Sequence, residues 1–268
     1  MNPDAVLALI KNMEAYVFGA ALGLPRVTAL FIVMPVFTRL GLIGILRSGI
    51  AVAMVLPLLP YLMATVPVGS TSFAELAPLL LKEAAVGAVI GLVLGVPIWA
   101  AEIAGEILDL QRGATFADMV DPLSSSNNNV TGTFLSVVVV ALYFASGGLI
   151  VTMRALYESY TLWPLQSFLP ILRPESGDLL LRLLDDMMGM GLMLVVPIVI
   201  ALLLSDLSLA LIARAAPHMN IFILSLTVKN LTFTLFLVLY GAFLMTYMRG
   251  DLATILDFSG KLQQFAPR

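Results

Sequence analysis

Apolar residues run along this chain in long blocks, with polar residues gathered at their ends. Six blocks are long enough to cross a bilayer: residues 16–37, 40–66, 84–103, 130–151, 187–213 and 221–248. A crossing helix needs about 20 mostly apolar residues, each rising 1.5 Å, to span about 30 Å of hydrocarbon. The pattern therefore predicts an all-α, multi-helix protein with about six nominal transmembrane segments. Residues 3–15 read as a short amphipathic helix ahead of the first block, and residues 251–265 as another after the last. Between the fourth and fifth blocks lies "RALYESYTLWPLQSFLPILRPESGDLLLRLLDD". Its tryptophan, tyrosines and prolines suit a segment at a membrane interface. Pro35, Pro57, Pro60, Pro97 and Pro197 fall within the blocks. Each lacks a backbone donor and crowds the preceding turn, which predicts kinked or broken helices.

Small residues recur within two blocks. Gly87, Gly91 and Gly95 in "GAVIGLVLG" share one helix face, and Gly41, Gly44 and Ser48 in "GLIGILRS" are spaced to do the same. Such rows let helix backbones approach closely where water does not drive association. The first row is expected to lie against another helix.

Composition sharpens the class. Apolar residues make up 60% of the chain and charged residues 12%, against about 45–50% and about 25% in soluble domains. This marks a membrane-associated protein in contact with lipid. The net charge of −3 argues against a nucleic-acid partner. There is no cysteine, so disulfides, thiolate metal sites and a cysteine nucleophile are excluded. His218 is the one histidine, too few for a histidine-rich metal site, and no phosphate-cradling loop motif occurs. No enzyme activity and no cofactor are expected. "NVT" at Asn129 matches a glycosylation sequon only weakly. The N-terminus lacks the basic region and cleavage site of a signal peptide and is expected to remain in the mature chain.

Charges inside apolar blocks are the main chemical signal. Arg26, Arg47, Asp206 and Lys229 lie there, and a charge at mid-bilayer costs at least about 2.5–3.5 kcal/mol. Such side chains face protein or water, or snorkel from a helix end; Lys229, deep in "FILSLTVKNLTFTLFLVLY", is the hardest to explain by snorkelling. Glu102, Glu106 and Asp109 share a helix face, and Arg112 is placed to pair with Asp109. That acidic row reads as a solvated face or as a proton relay. With six spans, the N-terminus, the even-numbered loops and the C-terminus share a side holding Lys11, Lys82, Arg154, Arg173, Arg182, Arg249, Lys261 and Arg268. The other side holds Arg39, Arg112 and Arg214. The positive-inside rule then predicts cytoplasmic termini.

Three passages carry a resemblance. "LPRVTALFIVMPVF" with "LRSGIAVAMVLPLLP", "GLVLGVPIWAAEIAGEILDLQRGATFADMVDP", and "RAAPHMNIFILSLTVK" resemble, in order, segments of the type III secretion export-apparatus T subunits (SctT, SpaR, YscT) and their flagellar homologue FliR. The likeness covers about residues 22–245. It marks Arg214 and Asn220 as members of the third segment, and His218 stands where the family commonly has glutamine. It implies one export-apparatus domain over residues 1–268, with a C-terminal tail at 249–268, resembling a fusion of R-like and S-like export-gate units. It further implies a place in the bacterial inner membrane, or held largely above its plane. The implied partners are R and S subunits, with U and V subunits beside them, and unfolded exported proteins in the channel. Residues 113–129 would form a plug loop: Gly113 at its start, Phe116, Met119 and Val120 closing the gap, Asp121 and Pro122 setting the turn. The competing reading is a small-solute secondary transporter, with Lys229 and Asp206 at a midplane site.

Overall fold

The computed structural model describes residues 3–65, 73–114, 129–165, 176–218 and 220–256. Among these there is no strand. The helices are α1 (Pro3–Val33), α2 (Pro35–Arg39), α3 (Gly44–Val55), α4 (Leu59–Thr65), α5 (Phe73–Arg112), α6 (Val130–Ala145), α7 (Gly148–Leu162), α8 (Ser176–Ala215) and α9 (Ile221–Leu256). A single 3-10 turn, Leu56–Leu58, joins α3 to α4. Among the described residues, five helical stretches are long and apolar enough to cross a membrane: Met13–Val33, Gly44–Ala64, Leu76–Arg112, Gly177–Ala215 and Ile221–Ala253. The α6–α7 pair makes a sixth if its two parts count as one span.

Several boundaries differ from the sequence pattern. Residues 3–15 are not a separate helix, because α1 runs unbroken to Val33. Gly41 and Gly44 have φ of 69° and 57°, and a Cβ on either would meet nothing. They shape an open turn between α2 and α3, so the row with Ser48 is not a packing face. The 130–151 block is cut at Gly147, whose φ is 75°. Beyond it, "RALYESYTL" continues α7 as helix.

The prolines act unequally. Met34 takes the extended conformation that a following proline favours, and α1 ends there. Pro57 falls in the 3-10 turn. Helices α5 and α8 run unbroken through Pro97 and Pro197, as helices in a packed apolar setting can.

Helices α5 and α8 are 40 residues each, about 60 Å long at 1.5 Å per residue. That is twice the hydrocarbon thickness, so neither is a simple perpendicular span.

The chain forms two compact units, each discontinuous in sequence. One comprises Met1–Gly95, Ser146–Leu183 and Ile255–Arg268; the other comprises Val96–Ala145 and Leu184–Thr254. The first has a core of Val27, Leu30, Phe31 and Met34 from α1, Leu62 from α4, Ile90 and Leu94 from α5, and Leu156 from α7. The Phe31 and Phe37 rings sit 3.9 Å apart within it. Here the glycine row does its work. Gly87 and Gly91 of α5 lie against the α1 backbone: a Cβ at Gly87 would overlap the Arg26 carbonyl, and one at Gly91 would come within 2.8 Å of the Leu30 oxygen. Gly95 is buried one turn further on.

The second unit is built on Ile98, Ala101, Ala104 and Leu108 of α5, Leu135 and Val139 of α6, and Val195, Ile198 and Leu202 of α8. Burial is very uneven: 67% of the most apolar window of α5 is buried, but only 6% of that of α9. Leu231, Leu235, Val238, Leu239 and Phe243 of α9 are all exposed. An apolar surface of this extent belongs against lipid or another protein.

Candidate functional site

The end of α5 explains why the chain turns out of the helix at 113. Gly113 has φ of 81°, a conformation with little penalty only for glycine. Its N–H donates to the Leu110 carbonyl at 3.1 Å, and the Ala114 N–H donates to the Asp109 carbonyl at 2.9 Å. This pair of bonds is the glycine-terminated helix cap that satisfies the last carbonyls. Lys229 of α9 adds a third partner by donating to the Gln111 carbonyl at 3.1 Å.

Residue 129 opens α6 with matching chemistry. The Asn129 carbonyl accepts from the Thr133 N–H at 3.0 Å, and its side-chain oxygen accepts from the Gly132 N–H at 2.8 Å. Asn129 is therefore the N-cap of α6. Its amide nitrogen donates to Glu106 at 2.7 Å. Asp109 completes the joint. It accepts from the Thr131 N–H at 3.0 Å and the Thr131 hydroxyl at 2.5 Å, and pairs with Arg112 at 2.7 Å. Arg112 in turn lies 4.6 Å over the Phe233 ring. Below these bonds the helices touch backbone to backbone, since a Cβ at Gly105 would overlap Gly132.

The result is a clasp. Residues leaving α5 and residues entering α6 are tied together by two carboxylates, and every bond lies in the second unit. The acidic row is thus not one solvated face. Glu106 is exposed but bonded, Asp109 is 1% exposed, and Glu102 is half-buried. Asp109→Ala would leave the Thr131 donors and Arg112 unanswered. It should destabilise the chain by about 3 kcal/mol, the low end for breaking a buried pair, as a lowered thermal midpoint in detergent.

Lys229 is ion-paired with Asp206 of α8 at 2.8 Å. Ser205 and Thr232 bond between the same two helices at 3.1 Å. Lys229 is 17% exposed and Asp206 37%, so screening reduces the pair's weight. Lys229→Met should be near neutral. Asp206→Ala, which leaves the ammonium only the Gln111 carbonyl, should cost about 1 kcal/mol, and comparing the two midpoints checks the order.

The remaining candidates are spread out. Arg26 is fully buried and belongs to the first unit. Arg47 is half-buried on α3; Arg214 and His218 are exposed near the α8–α9 turn. Asn220 caps α9 weakly, its side-chain oxygen 3.5 Å from the Ile223 N–H. Phe116, Met119, Val120, Asp121 and Pro122 lie outside the described residues. Sequence reasoning missed Asn129, Thr131, Gly105 and Gly132. The capping asparagine three residues ahead of Gly132 was the signal available for them. It also counted Lys82 among free cytoplasmic charges, whereas Lys82 is 3% exposed and says nothing about sidedness. Among the described residues, no cluster of His, Asp and Glu could hold a metal ion.

Long apolar helices with open faces and a charge-fastened interior define a membrane-associated, all-helical protein. The chain matches the model of the bacterial export proteins, family 1, over residues 17–255, and it belongs to that family. It is 33% identical over 235 residues to Yop proteins translocation protein T of Yersinia pestis, covering 87% of this chain and 90% of that protein. It is 35% identical over 236 residues to the surface presentation of antigens protein SpaR of Salmonella typhimurium, covering 87% and 86%. Flagellar biosynthetic protein FliR of Pectobacterium carotovorum is 29% identical over 231 residues, covering 81% and 84%. The family is the one the three sequence passages resembled.

Proposed function

We propose that this chain is the T-type structural subunit of a type III secretion export gate in the bacterial inner membrane. It helps form and close the conduit for unfolded proteins and carries no catalytic role. The clasp at the foot of residues 113–129 carries this reading. It fixes both ends of a polar segment at one place, and the residues between those ends are the ones assigned to closing the channel. The apolar residues 116, 119 and 120 supply closing surface, and the following serines and asparagines suit a hydrated lumen. The 33% and 35% identity to the Yersinia translocation protein T and the Salmonella SpaR, against 29% to FliR, leans toward an injectisome over a flagellum. The open faces of α9 are where R and S subunits would pack, with U and V subunits further out.

Co-expression with and without R and S subunits, followed by native mass spectrometry, tests the assignment. A stable heteromeric complex, with poor recovery of the chain alone, is expected. A stable monomer or homo-oligomer that moves a small solute would replace the gate with a secondary transporter, in which Lys229 and Asp206 would form the site.

A further inference from the structure

The turn between α2 and α3 is a part of the first unit that the gate reading does not use. Ile45, at the start of α3, is 90% exposed, more than any other large apolar side chain among the described residues. Ile43 and Leu46 are 66% and 63% exposed, and Leu40 is 46% exposed. From residue 40 to residue 46 the chain reads "LGLIGIL", without a polar side chain. Cβ atoms at Gly41, Gly44 and Gly49 would all meet nothing, so the turn stands clear of its own chain at these points. An arginine brackets it at each end: Arg39 closes α2, and Arg47 lies in the first turn of α3. None of the ion pairs among the described residues uses Arg47.

Three properties decide what covers this tip. The first is composition. Protein interfaces are enriched in aromatic residues and methionine, and they carry directional hydrogen bonds. A tip of leucine, isoleucine and glycine offers nothing directional, which suits a fluid hydrocarbon. The second is charge. Arginine stems run along apolar surface while their heads reach a polar boundary, and anionic lipid attracts them there. The third is depth. Ile43, the N-cap of α3, makes no side-chain capping bond, so the first N–H groups of α3 lack helical partners. Such groups are not left in hydrocarbon. The tip therefore stops where headgroups and water can still answer them.

We propose that the α2–α3 turn is a lipid anchor. Its aliphatic tip enters the edge of the hydrocarbon, and Arg47 meets the phosphates of anionic lipids. The anchor sets the level at which the first unit meets the bilayer. It also gives Arg47, a charge inside an apolar block of the sequence, a place at the headgroups. The inference needs membrane association and not the gate, so it stands or falls separately from the co-expression result.

Site-directed spin labelling reads the depth of the tip, on the full chain in the assembly with which it purifies, reconstituted into lipid nanodiscs. The native chain has no cysteine, so Ile43→Cys, Ile45→Cys and, as a control outside Arg39, Thr38→Cys each carry a single label. All three residues are exposed, so the labels displace no core. With phosphatidylglycerol in the bilayer, the labels at 43 and 45 should be relaxed several-fold more by oxygen than by an aqueous nickel chelate. That corresponds to about 5–10 Å below the phosphates. The label at 38 should show the reverse. In phosphatidylcholine alone the oxygen-to-nickel ratio at 45 should fall about twofold, and adding Arg47→Gln should remove this difference between the lipids. Nickel access at 45 as high as at 38 would put the tip in water and overturn the anchor. An immobile label at 45 that neither reagent reaches would put another subunit over the tip and overturn it equally. A ratio indifferent to phosphatidylglycerol, or a lipid difference that survives Arg47→Gln, would remove the headgroup contact and the proposal with it.

Discussion

Deleting residues 116–120 should leave the complex assembled and make the resting membrane leaky to small ions. The clasp is the reason to expect assembly. Asp109 and Thr131 are in direct contact, so the two ends of the intervening segment start close together. Nine of the residues between 115 and 128 would remain, able to reach about 30 Å when extended, which is ample. No capped helix end is disturbed, because Gly113 and Asn129 are kept. The leak is expected because the deletion removes the apolar residues assigned to closure and keeps the run of serines and asparagines. Ion flux into vesicles or cells carrying the idle complex measures it. Cysteines at 116 or 119 should crosslink to a stalled substrate, and the native chain has no cysteine to compete. A deletion mutant that assembles, conducts like wild type and gives no crosslinks would reduce the segment to a connection.

Gly87→Leu should abolish recovery of folded chain. The added side chain would drive into the Arg26 carbonyl, and a backbone cannot swing aside as a side-chain tip can. Ordinary overpacking costs about 1–3 kcal/mol. Here the displaced backbone also carries the Arg26 side chain, so separating α1 from α5 would break its buried pair with Glu83, worth a further 3–5 kcal/mol or so. The sum approaches the whole stability of a typical domain, about 5–15 kcal/mol. Gly241→Leu on α9 is the control. Nothing lies near a Cβ there, so the chain should fold, and any loss would appear only as weaker binding to other subunits. Equal recovery of folded protein from both variants would remove the packing argument.

The two glycine rows show what pattern can and cannot decide. Both have helix spacing, yet only one lies within a helix throughout: Gly44 opens α3 and Gly41 precedes it. Gly87 and Gly91 meet a neighbouring backbone, while Gly41 and Gly44 have the positive φ of a turn. Spacing is a local property, and both conformations are open to glycine; the strain-free choice depends on what lies alongside. Pro97 and Pro197 make the same point: Pro35 follows the end of α1, while Pro97 and Pro197 sit inside unbroken helices, and the sequence pattern alone does not tell the two cases apart.

Class was decided by the sequence alone. Apolar blocks of about 20 residues force helices, because in a lipid-like medium backbone groups must bond within their own segment. The ordered family passages are likewise a property of the one-dimensional string. The end of α5 at Arg112 is marked only by the resemblance, which puts the start of a loop at Gly113; the apolar block by itself stops at 103. What only the tertiary structure decided is which charges are partners. Arg26 and Glu83 are 57 residues apart, Arg26 and Trp163 137 apart, and Lys229 bonds a carbonyl 118 residues away. No periodicity encodes such separations. A buried charge shows in sequence only as a residue out of place, and its meaning comes from the group that packing brings against it.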